Sequence, residues 1–188
     1  MKTVFIGFLT FLITTSALAC SCHTEPLTSE KISTYKYVSV VKVKKLSSFE
    51  VTDNSMRYYQ LAEVESLEIF KGGVISKILV SSVNTSCDMG VKEGECWIIL
   101  ANDWNGYPTL FPCGYNQQFL AVDTSELYFS WSYLSGISSL NYLRNVFTKL
   151  PKNGKYDGKW LNGKPSFSLK REDGKIIGNQ IMYDENGN

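Results

Sequence analysis

Two cysteines one residue apart, Cys20 and Cys22, directly follow a predicted secretory cleavage site. An apolar run with one charge before it ends in Ala17-Leu18-Ala19, which fits the small-x-small pattern of a signal peptidase substrate. Cleavage there would give Cys20 a free α-amine, whose pKa of about 7.7–8.0 lets it lose its proton at little cost near neutral pH. That amine and the carbonyl oxygen of the same residue can chelate a metal ion that keeps one coordination position open.

The chain start predicts where the protein works. We expect residues 1–19 to be a signal peptide and the protein to be secreted, either extracellular or periplasmic. Bacterial lipoproteins also begin at a cysteine after a small residue, so a membrane-anchored lipoprotein with a lipid anchor on Cys20 is the alternative. Lipoprotein signals usually carry leucine three places before the cysteine, where this chain has Ala17. No segment approaches the roughly 20 apolar residues of a transmembrane helix, so we expect no transmembrane span.

Composition and motifs narrow the class of protein. Lys+Arg number 19 against Asp+Glu 18, without a basic stripe, so nucleic acid is not an expected partner. One histidine, no G-x-S-x-G motif and no phosphate loop leave little on which to build a reaction, and we expect no enzyme and no cofactor. Four acidic residues lie close together in sequence and are expected to be solvated: Asp88, Glu93, Glu95 and Asp103.

The five cysteines, at 20, 22, 87, 96 and 113, are expected to oxidise in pairs after export, which leaves one over. Cys20 and Cys22 can each be tied to a distant segment, at Cys87 or Cys113. Zinc binding by Cys20, Cys22 and His23 is disfavoured, because structural zinc sites prefer a two-residue spacer and the chain has no second histidine.

The pattern after the cysteines predicts a small closed β-barrel. Thr28 is a candidate N-cap for a short helix. Residues 37–44 alternate apolar and polar side chains and predict a strand with one solvent-exposed face. Further strands are predicted over 56–70, 75–83, 94–101 and 107–111, the last pair joined at Asn105-Gly106. Five strands with a nearby helix favour a barrel.

An ordered set of these residues resembles the inhibitory domain of the tissue inhibitors of metalloproteinases (TIMPs) and the wider netrin-like (NTR) family. The similarity covers roughly residues 20–119. It rests on Cys20-Ser21-Cys22, Glu68-Ile69-Phe70-Lys71-Gly72, Ser86-Cys87, Gly94 ahead of Trp97-Ile98-Ile99-Leu100-Ala101, and Cys113.

The resemblance implies a mainly β fold, an OB-type five-stranded β-barrel with flanking helices, and two disulfides. The bridges would join Cys20 to Cys87 and Cys22 to Cys113. Cys96 would then be the odd thiol, and its apolar neighbours indicate a buried, inert side chain.

The resemblance also implies a metalloprotease inhibitor. The α-amine and carbonyl of Cys20 would bind the catalytic zinc of a zinc metalloendopeptidase, so the metal comes from the target enzyme. Ser21 would enter the pocket for the residue after the scissile bond, and His23 with residues 87–89 (Cys87, Asp88 and Met89) would extend the contact. The vertebrate third bridge and second domain have no counterpart here. The alternative is a cell-surface or lipid-anchored netrin-like binding module with no protease target.

The remaining chain predicts a helix and a repeat-like tail. Leu140, Leu143 and Phe147 lie at helical spacing, and we predict a helix from Ser125 in two parts with Gly136 between them. This helix would pack on the barrel and complete a domain of residues 20–150. From 151 to 188, five Asn-Gly or Asp-Gly pairs predict a β-hairpin extension that leans on the barrel or on another molecule. Its pattern resembles MORN-type repeats over these residues: Tyr156, Gly158, Trp160, Asn162-Gly163, Asp173-Gly174 and Tyr183.

Overall fold

The computed structural model describes residues 26–47, 50–51, 58–120 and 131–188. These form two helices and ten strands, in chain order α1 (Ser29–Ser33), β1 (Tyr37–Leu46), β2 (Glu50–Val51), β3 (Tyr58–Lys71), β4 (Lys77–Ser81), β5 (Cys96–Trp104), β6 (Tyr107–Leu110), β7 (Gln117–Leu120), α2 (Trp131–Thr148), β8 (Gly154–Lys159), β9 (Pro165–Glu172) and β10 (Lys175–Met182). No described helix is long and apolar enough to cross a membrane. The predicted signal peptide and the Cys20–His23 segment lie outside the described residues.

Five strands close into a ring in the order β1, β3, β4, β6, β5 and back to β1. β4 and β6 are parallel, whereas the other neighbours in the ring are antiparallel. This strand order is that of the OB fold, and the predicted OB-type barrel is confirmed. The Asn105-Gly106 turn joins β5 to β6 with positive φ at both residues, as a tight hairpin requires. Two short strands were not predicted, β2 beside β3 and β7 beside β5.

The inside of the barrel is filled by alternate residues of its strands. Val41 and Val43 of β1 point inward, as do Trp97, Ile99 and Ala101 of β5. Residues two apart share a face of a strand, so the alternation of the sequence sets which side chains enter this core. β3, β4 and β6 complete it with Ala62, Val64, Ile78, Val80 and Leu110.

A second core covers the outer face of β1 and β5. Val38 and Val40 of β1 and Ile98 of β5 are each 0% exposed and belong to this outer cluster. The prediction of a solvent-exposed face on β1 is therefore wrong. Alternation shows that a strand has two faces but does not show what packs on the second one. The cover comes from both helices and the tail, through Ile32, Leu140, Leu143 and Trp160.

The helix after the barrel is continuous from Trp131 to Thr148, so the predicted break at Gly136 is wrong. A single glycine inside a helix costs only about 1 kcal/mol relative to alanine, and tertiary packing can outweigh that cost. Here Leu140 and Leu143 are fully buried against the barrel, which confirms the predicted packing of this helix on the barrel flank. The predicted start near Ser125 lies outside the described residues.

The tail forms an antiparallel sheet in the order β10, β9, β8. Its hairpins turn at Asn162-Gly163 and Asp173-Gly174, which confirms two of the predicted turns. The other three Asn-Gly or Asp-Gly pairs join no hairpin: Asn153-Gly154 lies at the start of β8, Asn186-Gly187 forms a turn after β10, and Asp157-Gly158 lies inside β8.

Gly158 lies inside β8 for a steric reason. A Cβ at this position would lie 1.9 Å from Cε1 of Phe167, on the neighbouring strand. The glycine therefore makes room for an aromatic ring. The sequence suggested a turn at Asp157-Gly158, but this glycine is required for packing.

The tail sheet is packed on the barrel and α2. Leu161 N–H donates to the carbonyl of Leu67 in β3 over 2.8 Å, and the Trp160 side chain is 2% exposed in the outer core. Lys42 of β1 also forms an ion pair with Glu185 beyond β10. These contacts confirm that the tail leans on the barrel.

Candidate functional site

The residues proposed to reach a protease are only partly described. Cys20, Ser21, Cys22 and His23 lie outside the described residues. The remaining predicted site residues, Cys87, Asp88 and Met89, are described.

The chain enters the described region through a short helix fixed to the outer core. Thr28 caps α1, since its side-chain oxygen accepts from Lys31 N–H over 3.2 Å, as predicted. Ile32 is 2% exposed and packs in the outer core. The Lys31 ammonium donates to the hydroxyl of Tyr115, which follows β6. Residues 28–35 are thus held against the barrel.

Cys87 and Cys113 lie at the same end of the barrel. Cys87 follows β4, and Cys113 follows β6. These strands run in the same direction with Val80 opposite Leu110, so their carboxyl ends meet at one edge of the barrel. Both cysteines are disulfide-bonded. Their predicted partners, Cys20 and Cys22, lie outside the described residues, so the pairing itself stays a prediction.

The third described cysteine differs from these two. Cys96 is a free thiol and is 1% exposed in the outer core. Burial, the main cause, raises the pKa of this thiol to about 12, so it stays protonated and poorly nucleophilic. The interpretation of Cys96 as a buried, unpaired side chain is confirmed.

Hydrogen bonds fix the loop that carries Cys87. Cys87 N–H donates to the Thr85 hydroxyl over 3.1 Å, and that hydroxyl donates to the carbonyl of Ser82 over 2.6 Å. The Asp88 carboxylate accepts from the N–H groups of Asn84 and Gly90, both over 2.8 Å. A carboxylate that satisfies two backbone donors holds the turn in one shape.

Met89 and Asp88 occupy different environments in this loop. Met89 is half-buried and packs against the interior core, whereas Asp88 is exposed. Of the three predicted contact residues in the loop, Met89 therefore closes the end of the barrel and Asp88 shapes the turn. Both tasks keep the backbone beside Cys87 in place.

Glu95 corrects the expectation that the acidic cluster is solvated. It is 4% exposed, and its carboxylate accepts from Trp97 Nε1 and Lys92 N–H over 2.9 Å and from Gln118 Nε2 over 2.8 Å. Three donors replace the water that this carboxylate loses on burial. The bound carboxylate joins the start of β5 to β7 and to the preceding loop. Lys92 and Trp97 are close to Glu95 in sequence, whereas Gln118 becomes its neighbour only because β7 pairs with β5.

The described residues contain no group of three His, Cys, Asp or Glu side chains that could hold a metal ion. The loops after β4 and β6 carry the disulfide-bonded Cys87 and Cys113 at one end of the barrel, so they can hold a further segment there through disulfides.

The sequence matches no protein-family model and no curated protein. The similarity to the TIMP and netrin-like family and to MORN-type repeats remains a prediction from the sequence, while the OB-type barrel rests on its strand order.

Proposed function

We propose that this chain is an exported inhibitor of a zinc metalloendopeptidase. In this proposal Cys20 is the first residue of the mature protein, and its α-amine and carbonyl bind the catalytic zinc of the target. Ser21 enters the adjacent substrate pocket, and the loop at Cys87 to Met89 widens the contact.

One observation carries the proposal. Cys87 and Cys113 are disulfide-bonded on neighbouring loops at one end of an OB-type barrel, while Cys96 is buried and free. This division of the cysteines matches the one that the family resemblance implies. It leaves Cys20 and Cys22 as the cysteines to be tied to this edge, one residue apart on one short segment.

Rigidity explains why such a segment can inhibit. Ordering a free chain end costs roughly 1–2 kcal/mol of backbone entropy per residue at the moment of binding. Disulfides to two fixed loops would remove most of that cost before the protease is met. The hydrogen bonds of Asp88 and the packing of Met89 hold the Cys87 loop, and α1, which follows the segment in the chain, is packed in the outer core.

The test is one added residue. An alanine inserted ahead of Cys20 in the mature protein moves the α-amine away from its chelating position and leaves both cysteines in the chain. We expect this variant to lose inhibition of zinc endopeptidases that the parent inhibits, with an unchanged circular dichroism spectrum and melting temperature. The matched control carries the same alanine after Asn188 and should inhibit like the parent.

Mass spectrometry of the exported protein separates the two readings of the terminus. We expect cleavage before Cys20, a free α-amine and Cys20 in a disulfide. A diacylglyceryl adduct on Cys20 would instead favour the anchored binding module, because one sulfur cannot hold both lipid and bridge. Full inhibition by the variant with alanine ahead of Cys20 would also exclude the chelate.

A further inference from the structure

A cavity of ≈ 230 Å³ lies between α2 and the β9–β10 hairpin of the tail, and its lining includes no residue of the loops that carry Cys87 and Cys113. Its walls come from Asn141, Arg144 and Asn145 of α2, from Leu169 and Arg171 of β9, and from Ile176 of β10. At the ~30 Å³ that one water molecule takes in the liquid, the space suits a small organic molecule.

Arg171 brings a positive charge to this cavity. Its guanidinium donates to the carbonyl of Leu150 over 2.8 Å and to the carbonyl of Gly174 over 2.7 Å from Nη2 and 3.3 Å from Nε. A guanidinium has five N–H donors, so about two remain for a ligand. None of the ion pairs among the described residues includes Arg171.

The second guanidinium at the cavity, that of Arg144, is already neutralised. Its Nη2 lies 2.6 Å from Oε2 of Glu68, and its Nε lies 3.2 and 3.1 Å from the two carboxylate oxygens. No carboxylate lines the cavity, and the nearest acids in sequence, Glu172 and Asp173, are exposed. The site therefore carries one uncompensated positive charge.

The other walls supply one amide and an apolar surface. The side-chain amide of Asn145 is exposed and has no hydrogen-bond partner among the described residues, so it can bind a ligand, whereas the side-chain amide of Asn141 is paired with that of Gln180 in both directions. Leu150, Leu169 and Ile176 form the apolar part.

We propose that this cavity binds a small monocarboxylate with a short aliphatic chain, held by Arg171 and Asn145. A single uncompensated charge matches a carboxylate better than a doubly charged phosphate, because burying an excess charge costs free energy. The aliphatic part would lie on Leu150, Leu169 and Ile176.

Nuclear magnetic resonance titration of the full oxidised chain tests the proposal with three probes: butyrate, butyramide and inorganic phosphate. Butyrate should shift the backbone amides of Asn145, Gly174 and Ile176 in a saturable way. Butyramide, which has the same shape without charge, should leave them unchanged, and phosphate should bind more weakly than butyrate.

Two glutamate variants on one strand give the matched comparison. Ile176 lines the cavity and Ile181 does not, and they are 42% and 49% exposed, so both substitutions should fold. Ile176→Glu places a carboxylate beside Arg171 and should weaken butyrate binding by roughly tenfold. Ile181→Glu should change the affinity for butyrate by no more than about twofold, since its charge lies outside the cavity.

Three results would overturn the proposal: equal shifts with butyramide, equal weakening in both variants, or shifts confined to surface lysines.

Discussion

Replacing Glu68 by glutamine should destabilise the fold more than any other single charge removal on β3. Glu68 is the carboxylate partner of Arg144, whose side chain is 1% exposed. The same guanidinium lies 4.2 Å from the ring centroid of Phe167 and 5.4 Å from that of Trp160, so it joins the barrel, α2 and the tail sheet.

The expected loss in the free energy of unfolding follows from how deeply this ion pair is buried. Removing one partner of a buried ion pair usually costs about 3–5 kcal/mol, because the other charge is left uncompensated. Glu68 is 16% exposed, so water can reach part of the vacated space. We therefore expect the lower end of that range, about 3 kcal/mol in the free energy of unfolding.

Glu65 on the same strand provides the control. Its ion pair with Lys44 has side chains 43% and 53% exposed, and an exposed pair contributes about 0–1 kcal/mol. Urea unfolding at pH 7 with the disulfides oxidised, followed by tryptophan fluorescence and circular dichroism, would give the free energy and m-value of each variant. The double variant Glu68→Gln/Arg144→Met also removes the unpaired guanidinium charge, and we expect a coupling energy of about 2 kcal/mol between Glu68 and Arg144.

Equal destabilisation by Glu68→Gln and Glu65→Gln would refute this reasoning. A coupling energy near zero would do so independently, since it would mean that Arg144 does not depend on Glu68.

Two further predictions concern packing and a buried thiol. Gly158→Ala should lower the free energy of unfolding in urea by about 2–3 kcal/mol, because its Cβ overlaps the Phe167 ring. Gly73→Ala is the control: a Cβ there has nothing within 4 Å, so the free energy of unfolding should change by less than about 0.5 kcal/mol. Similar losses in both variants would contradict the steric argument. Cys96 should resist iodoacetamide at pH 8 until the protein unfolds. Burial raises the pKa of the Cys96 thiol from 9.0 to about 12, so its contribution to stability is full below pH 9 and is lost as the pH rises towards 12. The Cys96→Ala variant should lack this decline. Rapid labelling of Cys96 in the folded protein would disprove the burial.

Local patterns predicted the barrel strands well. Alternating side chains from 37 to 44 and the continuous apolar run at 96–101 became β1 and β5, and Asn105-Gly106 became the hairpin between β5 and β6. These signals are local, since side-chain period and turn geometry depend on neighbours in sequence. The cysteine count likewise required an unpaired thiol, the family resemblance implied that it is Cys96, and the apolar neighbours of Cys96 predicted its burial.

The wrong predictions share a cause. Gly136 and Gly158 suggested breaks, yet the first lies inside α2 and the second lies beneath Phe167. Glu95 suggested a solvated charge, yet it is buried with three donors. In each case packing between elements decided the role of the residue: α2 packs on the barrel, Phe167 lies on the strand next to Gly158, and β7 brings Gln118 to Glu95.

The sequence by itself determined the five barrel strands, the turn between β5 and β6, the cap of α1 and the presence of an odd thiol, because each depends on backbone preference, side-chain period or a count. Only the tertiary structure decided what covers the outer face of β1, why Arg144 can be buried, and that Cys87 and Cys113 share one end of the barrel. Those features depend on β4 running parallel to β6 and on the tail packing over the barrel, where residues far apart in the chain exclude water together.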